Sequence, residues 1–158
     1  MLTPPTMKLP PDVTDLLREF AAAEVRYLLI GGYAVAVHGE PRFTKGVGLW
    51  LAGDAPNVAR ARDALVRFGA PHSTIDAWLE TEGLDVAWMG QPPVRIDLMK
   101  QVPGGDFDAA YGRRLVAAEG DLAIDVIGRA DLVSLKKASG RPQDLLDVSA
   151  LESLGELP

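Results

Sequence analysis

Cysteine is absent from the 158-residue chain, which excludes a disulfide framework, a thiolate zinc site and a cysteine nucleophile. Aromatic residues are scarce at 6%, too few for a broad base-stacking platform. Long hydrophobic runs are missing too. The longest uncharged apolar stretch, Tyr27 to Val37, has eleven residues including two glycines, whereas a helix crossing a bilayer needs about 20. Positive charge is in deficit, with 16 Lys+Arg against 22 Asp+Glu, and the net charge of −6 disfavours a surface that coats nucleic acid. It leaves room for a local basic pocket. Met1 to Pro11 holds four prolines and no apolar block, unlike a signal peptide. The expectation is a soluble, cytoplasmic protein with no membrane partner.

What is present fits one domain large enough to bury a core, with 47% apolar residues and no internal repeat. Residues 1–11, with Pro4, Pro5, Pro10 and Pro11, read as an extended lead-in, and residues 12–158 as a single domain. Asp12 is placed to cap a helix carrying Leu16, Leu17, Phe20 and Ala23 at helical spacing and ending near Glu24. Arg26 to Ile30 reads as a buried strand, Gly31-Gly32 as its punctuation, and Tyr33 to Val37 as a short helix stopping at His38-Gly39. Val47 to Leu51 is a second strand. Asp54 and Pro56 open a helix closed by Gly69, while residues 70–83 resist assignment. Strands over Leu84–Met89 and Val94–Met99 follow, then a short helix over Asp106–Tyr111 and a hairpin, Leu115–Ala118 with Leu122–Ile127, around Gly120. Two helices, Ala130–Ala138 and Pro142–Leu154, end the chain. Interleaved helices and strands with adjacent hairpins predict an α/β (α+β) fold: a small mixed β-sheet flanked by helices, with a C-terminal helical pair.

Three segments have chemical potential. Gly31-Gly32 joins a strand to a helix, where glycine backbone turns tightly and presents its N–H groups to a phosphate; the same pair also serves as a plain turn. In Thr44-Lys45-Gly46-Val47-Gly48-Leu49-Trp50, alternation puts Gly46 and Gly48 on one face with Trp50. Glycines two apart in a strand signify either a close approach by a ligand or backbone, or lost side chains. In Val94-Arg95-Ile96-Asp97-Leu98-Met99, Arg95 and Asp97 share a face, as an ordinary ion pair or as part of a site. Lys136-Lys137 reads as a solvated helix face or as a phosphate contact, and Arg42 and Lys45 as loop charges or as contacts to phosphate or RNA. Trp50, Trp78 and Trp88 suit a core or pocket lining. His38 and His72 are too isolated for a metal site.

Four stretches in order carry a resemblance: Tyr27-Leu28-Leu29-Ile30-Gly31-Gly32-Tyr33-Ala34-Val35, Pro41-Arg42-Phe43-Thr44-Lys45, Arg95-Ile96-Asp97-Leu98 and Lys136-Lys137-Ala138-Ser139-Gly140-Arg141-Pro142-Gln143-Asp144. Together they resemble the nucleotidyltransferase superfamily that includes DNA polymerase β, and most closely its small bacterial branch of AbiEii- and MenT-type toxin-system proteins. That family has a Gly-Gly or Gly-Ser turn, then a strand bearing Asp-x-Asp, then a third Asp on a neighbouring strand. The resemblance implies attack of a hydroxyl on the α-phosphate of a nucleoside triphosphate, with paired Mg²⁺ ions held by the acids. It implies Asp97 as the third acid, a metal ligand, and Gly31 and Gly32 as the triphosphate turn. Lys45, Lys136, Lys137 and Arg141 would meet phosphates, with Asp144 orienting that basic cluster. The acceptor would be an RNA such as tRNA, or a protein hydroxyl, and a cognate toxin or antitoxin would be the partner.

The departure is confined to two positions. Gly46 and Gly48 stand where the family has its metal-binding acids. One carboxylate is a poor magnesium site, so the resemblance implies weak or absent Mg²⁺ binding and transfer near background. Glu40 and Asp54 are the flanking acids able to substitute, and both also read as solvated loop acids. Two functions remain open: an inactive nucleotidyltransferase, or a dead module that binds nucleotide, RNA or a toxin–antitoxin partner. A plain interaction domain is the blandest alternative.

Overall fold

Apolar residues at helical spacing set the first element. Val13, Leu16, Leu17 and Phe20 recur three and four apart and are all fully buried along α1 (Pro11–Ala22). The structure is a computed structural model that describes residues 3–39, 46–80 and 95–154. Pro11 occupies the opening turn and Pro10 the N-cap, without a side-chain hydrogen bond. The expectation that Asp12 caps this helix is therefore corrected. Asp12 lies one residue inside, where its charge favours the positive helix end.

Four consecutive buried residues form β1 (Tyr27–Ile30), as a strand covered on both faces requires. It leads into α2 (Gly32–Val37) and then β2 (Gly46–Leu51). Next comes α3 (Ala55–Phe68), where the Asp54 carboxylate accepts the Asn57 N–H at 3.1 Å and Gly69, at a φ of 96°, makes the left-handed stop. The unassigned stretch contains α4 (His72–Glu80), whose buried residues are Ile75 and Trp78. Two anchors are too few to display a period. After β3 (Arg95–Met99) come α5 (Phe107–Gly112), capped by Asp106, and the hairpin of β4 (Leu115–Glu119) and β5 (Leu122–Val126). The final pair is α6 (Arg129–Ser139) and α7 (Pro142–Glu152), separated by Gly140 at a φ of 67°. The strand expected over 84–89 lies outside the described residues.

The sheet is mixed and five-stranded, in the order β3-β2-β1-β5-β4. β1 runs antiparallel to β2 and parallel to β5, β2 runs parallel to β3, and β4 and β5 form an antiparallel hairpin. This is the α/β architecture with flanking helices that the sequence predicts. Val47, Leu49, Leu51, Ile96 and Leu98 are fully buried on one side of β2 and β3. The opposite side carries Gly46, Gly48, Trp50, Arg95 and Asp97. At the far edge the lead-in joins the sheet: Met7 N–H donates to the Ala118 carbonyl at 3.0 Å, and Ala118 N–H to the Pro5 carbonyl at 2.8 Å. That contact blunts the open edge of β4. No described helix is long and apolar enough to cross a membrane.

Candidate functional site: a bare strand beside an ion-paired aspartate

Strand pairing assembles the first group of candidate residues. Gly46 lies opposite Arg95 and Gly48 opposite Asp97, while Ile30, the last residue before Gly31, lies opposite Gly48 on the other side. Gly31, Gly46, Gly48 and Asp97 therefore converge at one end of the three strands. At Gly31, φ is 79° and nothing would crowd an added Cβ, so the turn from β1 into α2 needs glycine for its dihedral rather than for space. Gly32 is the buried first residue of α2.

The two strand glycines differ in surroundings. A Cβ at Gly46 would stand 3.4 Å from Asp97 Oδ2 and 3.5 Å from Arg95 Nη2, in a polar and passable space. At Gly48 it would stand 3.2 Å from Ile30 Cγ1 and 3.3 Å from Met99 Cε, against apolar atoms that must yield. Trp50, two residues further on, is 2% exposed and meets Phe107 edge-on at 5.3 Å, which makes it a packed core residue. The loop after β3 comes up against it: a Cβ on Gly105 would strike the Trp50 ring at 2.6 Å, and one on Gly104 would strike the Ala138 methyl of α6 at 2.8 Å. Glycine at 105 is required for that close approach.

Asp97 is held by its own strand. Arg95 Nε donates to Oδ1 at 2.8 Å and Nη2 to Oδ2 at 3.1 Å, so both carboxylate oxygens face one guanidinium. The Asp97 side chain is 18% exposed and that of Arg95 49%. Magnesium asks for several oxygens in an octahedron, usually one or two carboxylates beside phosphates and waters. Among the described residues this end of the sheet offers a single carboxylate, already engaged on both oxygens, and no three His, Asp or Glu gather. That donor set does not fit a divalent ion. Asp54, considered as a substitute, caps α3 and pairs with Arg26 at 2.8 Å. Glu40, Arg42, Lys45 and Trp88 lie outside the described residues.

The C-terminal candidates form a second group between α6 and α7. Lys136 is buried, with Nζ 2.8 Å from Asp147 Oδ2 and 3.3 Å from Asp144 Oδ1. Asp144 also accepts from Ser139 Oγ and from Arg141 Nε, both at 2.7 Å. Burial pushes the Asp144 pKa up, but the Arg141 and Ser139 hydrogen bonds and the Lys136 charge outweigh it and bring the group to about 2. Asp144 is thus the hub that organises Lys136 and Arg141. Lys136 faces the helix seam instead of solvent or an open anion site. Lys137 points outward to Glu152 at 2.9 Å, and Arg141 is largely exposed. No described hydrogen bond or ion pair joins this group to the strand hollow. Asp147 escaped the sequence reading, although its place three residues after Asp144 puts both acids on one helix face.

The two histidines hold no metal cluster among the described residues. His38 Nε2 lies 2.8 Å from the Ile127 carbonyl, and burial, followed by the charge of Arg129, keeps its pKa below the ordinary value against the opposing pull of that hydrogen bond.

No protein-family model matches the chain, and no curated protein is detectably similar to it in sequence. Among solved structures it is similar to an antigenic nucleotidyltransferase-like protein from Paracoccidioides brasiliensis, at 14% identity with a TM-score of 0.58, over 93% of this chain and 77% of that one. A looser likeness, at 16% identity with a TM-score of 0.49, reaches the lincosamide antibiotic adenylyltransferase LnuA solved with lincomycin, over 93% of this chain and 98% of that one. The first similarity defines the class by architecture: the chain has a nucleotidyltransferase-type fold.

Proposed function

We propose that the chain is a nucleotidyltransferase-fold protein that engages a nucleoside triphosphate and has lost the metal-dependent step. The ancestral reaction is transfer of a nucleotide from NTP–Mg²⁺ to a hydroxyl of RNA, with tRNA the first acceptor to test, or of a protein. What remains is a binding module for nucleotide, RNA or a cognate toxin–antitoxin partner. The observation that supports it is the register: Gly46 and Gly48 lie bare opposite Arg95 and Asp97, beside the Gly31 turn. In this reading, phosphoryl-type transfer needs neutralisation of charge on the phosphate oxygens, and a lone, already paired carboxylate cannot collect the cations that supply it.

The test is incorporation of labelled nucleotide in Mg²⁺ with tRNA and candidate protein acceptors. The chain is expected to match its Asp97→Asn variant at background. Metal-dependent incorporation well above that variant overturns the loss of activity. Restoring acids at positions 46 and 48 is expected to raise incorporation, with Ile30 and Met99 yielding a few tenths of an ångström to the new Cβ at position 48.

A further inference from the structure

We infer that Arg95 is the resident cation of this hollow, standing in for a divalent ion by neutralising Asp97 from the same strand. Residues two apart on a strand project to one side, so Arg95 and Asp97 emerge together over the face that Gly46 and Gly48 leave bare. The guanidinium covers both oxygens of the carboxylate in a fork. Its Nη2 also lies 3.5 Å from where a side chain on Gly46 would begin. Any acid placed at 46 therefore starts within reach of the guanidinium. The planar fork of an arginine matches a carboxylate better than an ammonium does. Among the described residues two features of this face work against a divalent ion: glycines at 46 and 48, and a guanidinium already seated on Asp97. The Arg95 side chain is half exposed, so the paired guanidinium is reached from solvent.

This inference rests on reading the hollow as a former metal site, and the experiment separates the two claims. Mn²⁺ binding, followed by calorimetry and by electron paramagnetic resonance without nucleotide, is compared in four full-length chains. These are the unaltered chain, Gly46→Asp, Gly46→Asp with Arg95→Gln, and Gly46→Asp with Arg95→Lys. Position 46 is chosen because its space admits a side chain. Removing a unit positive charge a few ångströms from a carboxylate pair is expected to tighten Mn²⁺ binding on the order of tenfold or more. The Gln double variant should therefore bind tightest, with the Lys double variant close to Gly46→Asp alone. Equal affinity with and without the arginine charge overturns the role of Arg95. No saturable Mn²⁺ in any variant overturns the former metal site, and the inference with it. Far-UV circular dichroism and melting temperature accompany each chain, and Arg95→Met replaces Arg95→Gln if that variant fails to fold.

Discussion

Asp144 and Asp97 both face guanidinium groups, yet their settings are opposite. Asp144 is sealed between α6 and α7, with Lys136, Ser139 and Arg141 arranged around it and Asp147 sharing the lysine. Asp97 stands in the middle of β3 with one ion-pair partner among the described residues, whose side chain is half exposed. Screening by water makes the second pair weak and exchangeable, whereas the first cannot be opened without stranding charge in a dry seam. The difference separates what the helical pair contributes from what the strand hollow contributes. The buried group holds the C-terminal helical pair together, and the open pair is accessible from solvent.

The largest effect should come from Lys136→Met. It removes the shared ammonium from two buried carboxylates, and breaking such a group costs about 3–5 kcal/mol. For a chain of this size the melting temperature should fall on the order of 10 °C. A loss below about 1 kcal/mol would erase the contrast between the two sites.

Acid should attack the same group next. Asp144 has a folded pKa of about 2 against an ordinary 3.8, so its contribution is complete above the unfolded value and is lost as pH falls through the folded one. Urea denaturation between about pH 5 and pH 2 should show roughly 2 kcal/mol of stability lost through this group, and Asp144→Asn should flatten that dependence. An unchanged slope in the variant contradicts the placement of Asp144 as the hub.

Arg95→Gln should be gentle by comparison, costing less than about 1 kcal/mol and shrinking further in high salt. A cost equal to that of Lys136→Met would show that the two pairs are energetically alike. Smallest of all is Lys137→Ala, which loses one exposed contact to Glu152 and should shift stability by no more than about 0.5 kcal/mol.

Much of the frame was legible in the sequence because local chemistry specified it. Asp54 and Gly69 bracket α3, Gly140 and Pro142 separate the last two helices, and the run from Tyr27 to Ile30 marks the central strand. The glycine alternation placed Gly46 and Gly48 on a common face with Trp50, since a two-residue period is visible in any strand, whereas the place of Asp97 opposite Gly48 is set by the pairing of β2 with β3. Less legible were facts decided by partners far away in the chain. α4 is held by two buried anchors, and the N-cap of α1 falls on Pro10 instead of Asp12. Lys136 reads from sequence as a solvated helix-face or phosphate-contacting lysine, and only the packing of α7 reveals that Asp144 and Asp147 enclose it. The contrast between Gly46 and Gly48 was equally hidden, because it depends on Ile30 and Met99 closing over one glycine and not the other.

The central claim is that this fold engages triphosphate without a divalent ion. Calorimetric titration of the full chain with ATP, CTP, GTP and UTP, each in Mg²⁺ and again in excess chelator, tests it directly. The account predicts that at least one nucleotide binds with an affinity that changes less than about twofold when the metal is removed, a free-energy difference near 0.4 kcal/mol. Binding that appears only in Mg²⁺, or no binding of any nucleotide in either condition, contradicts it.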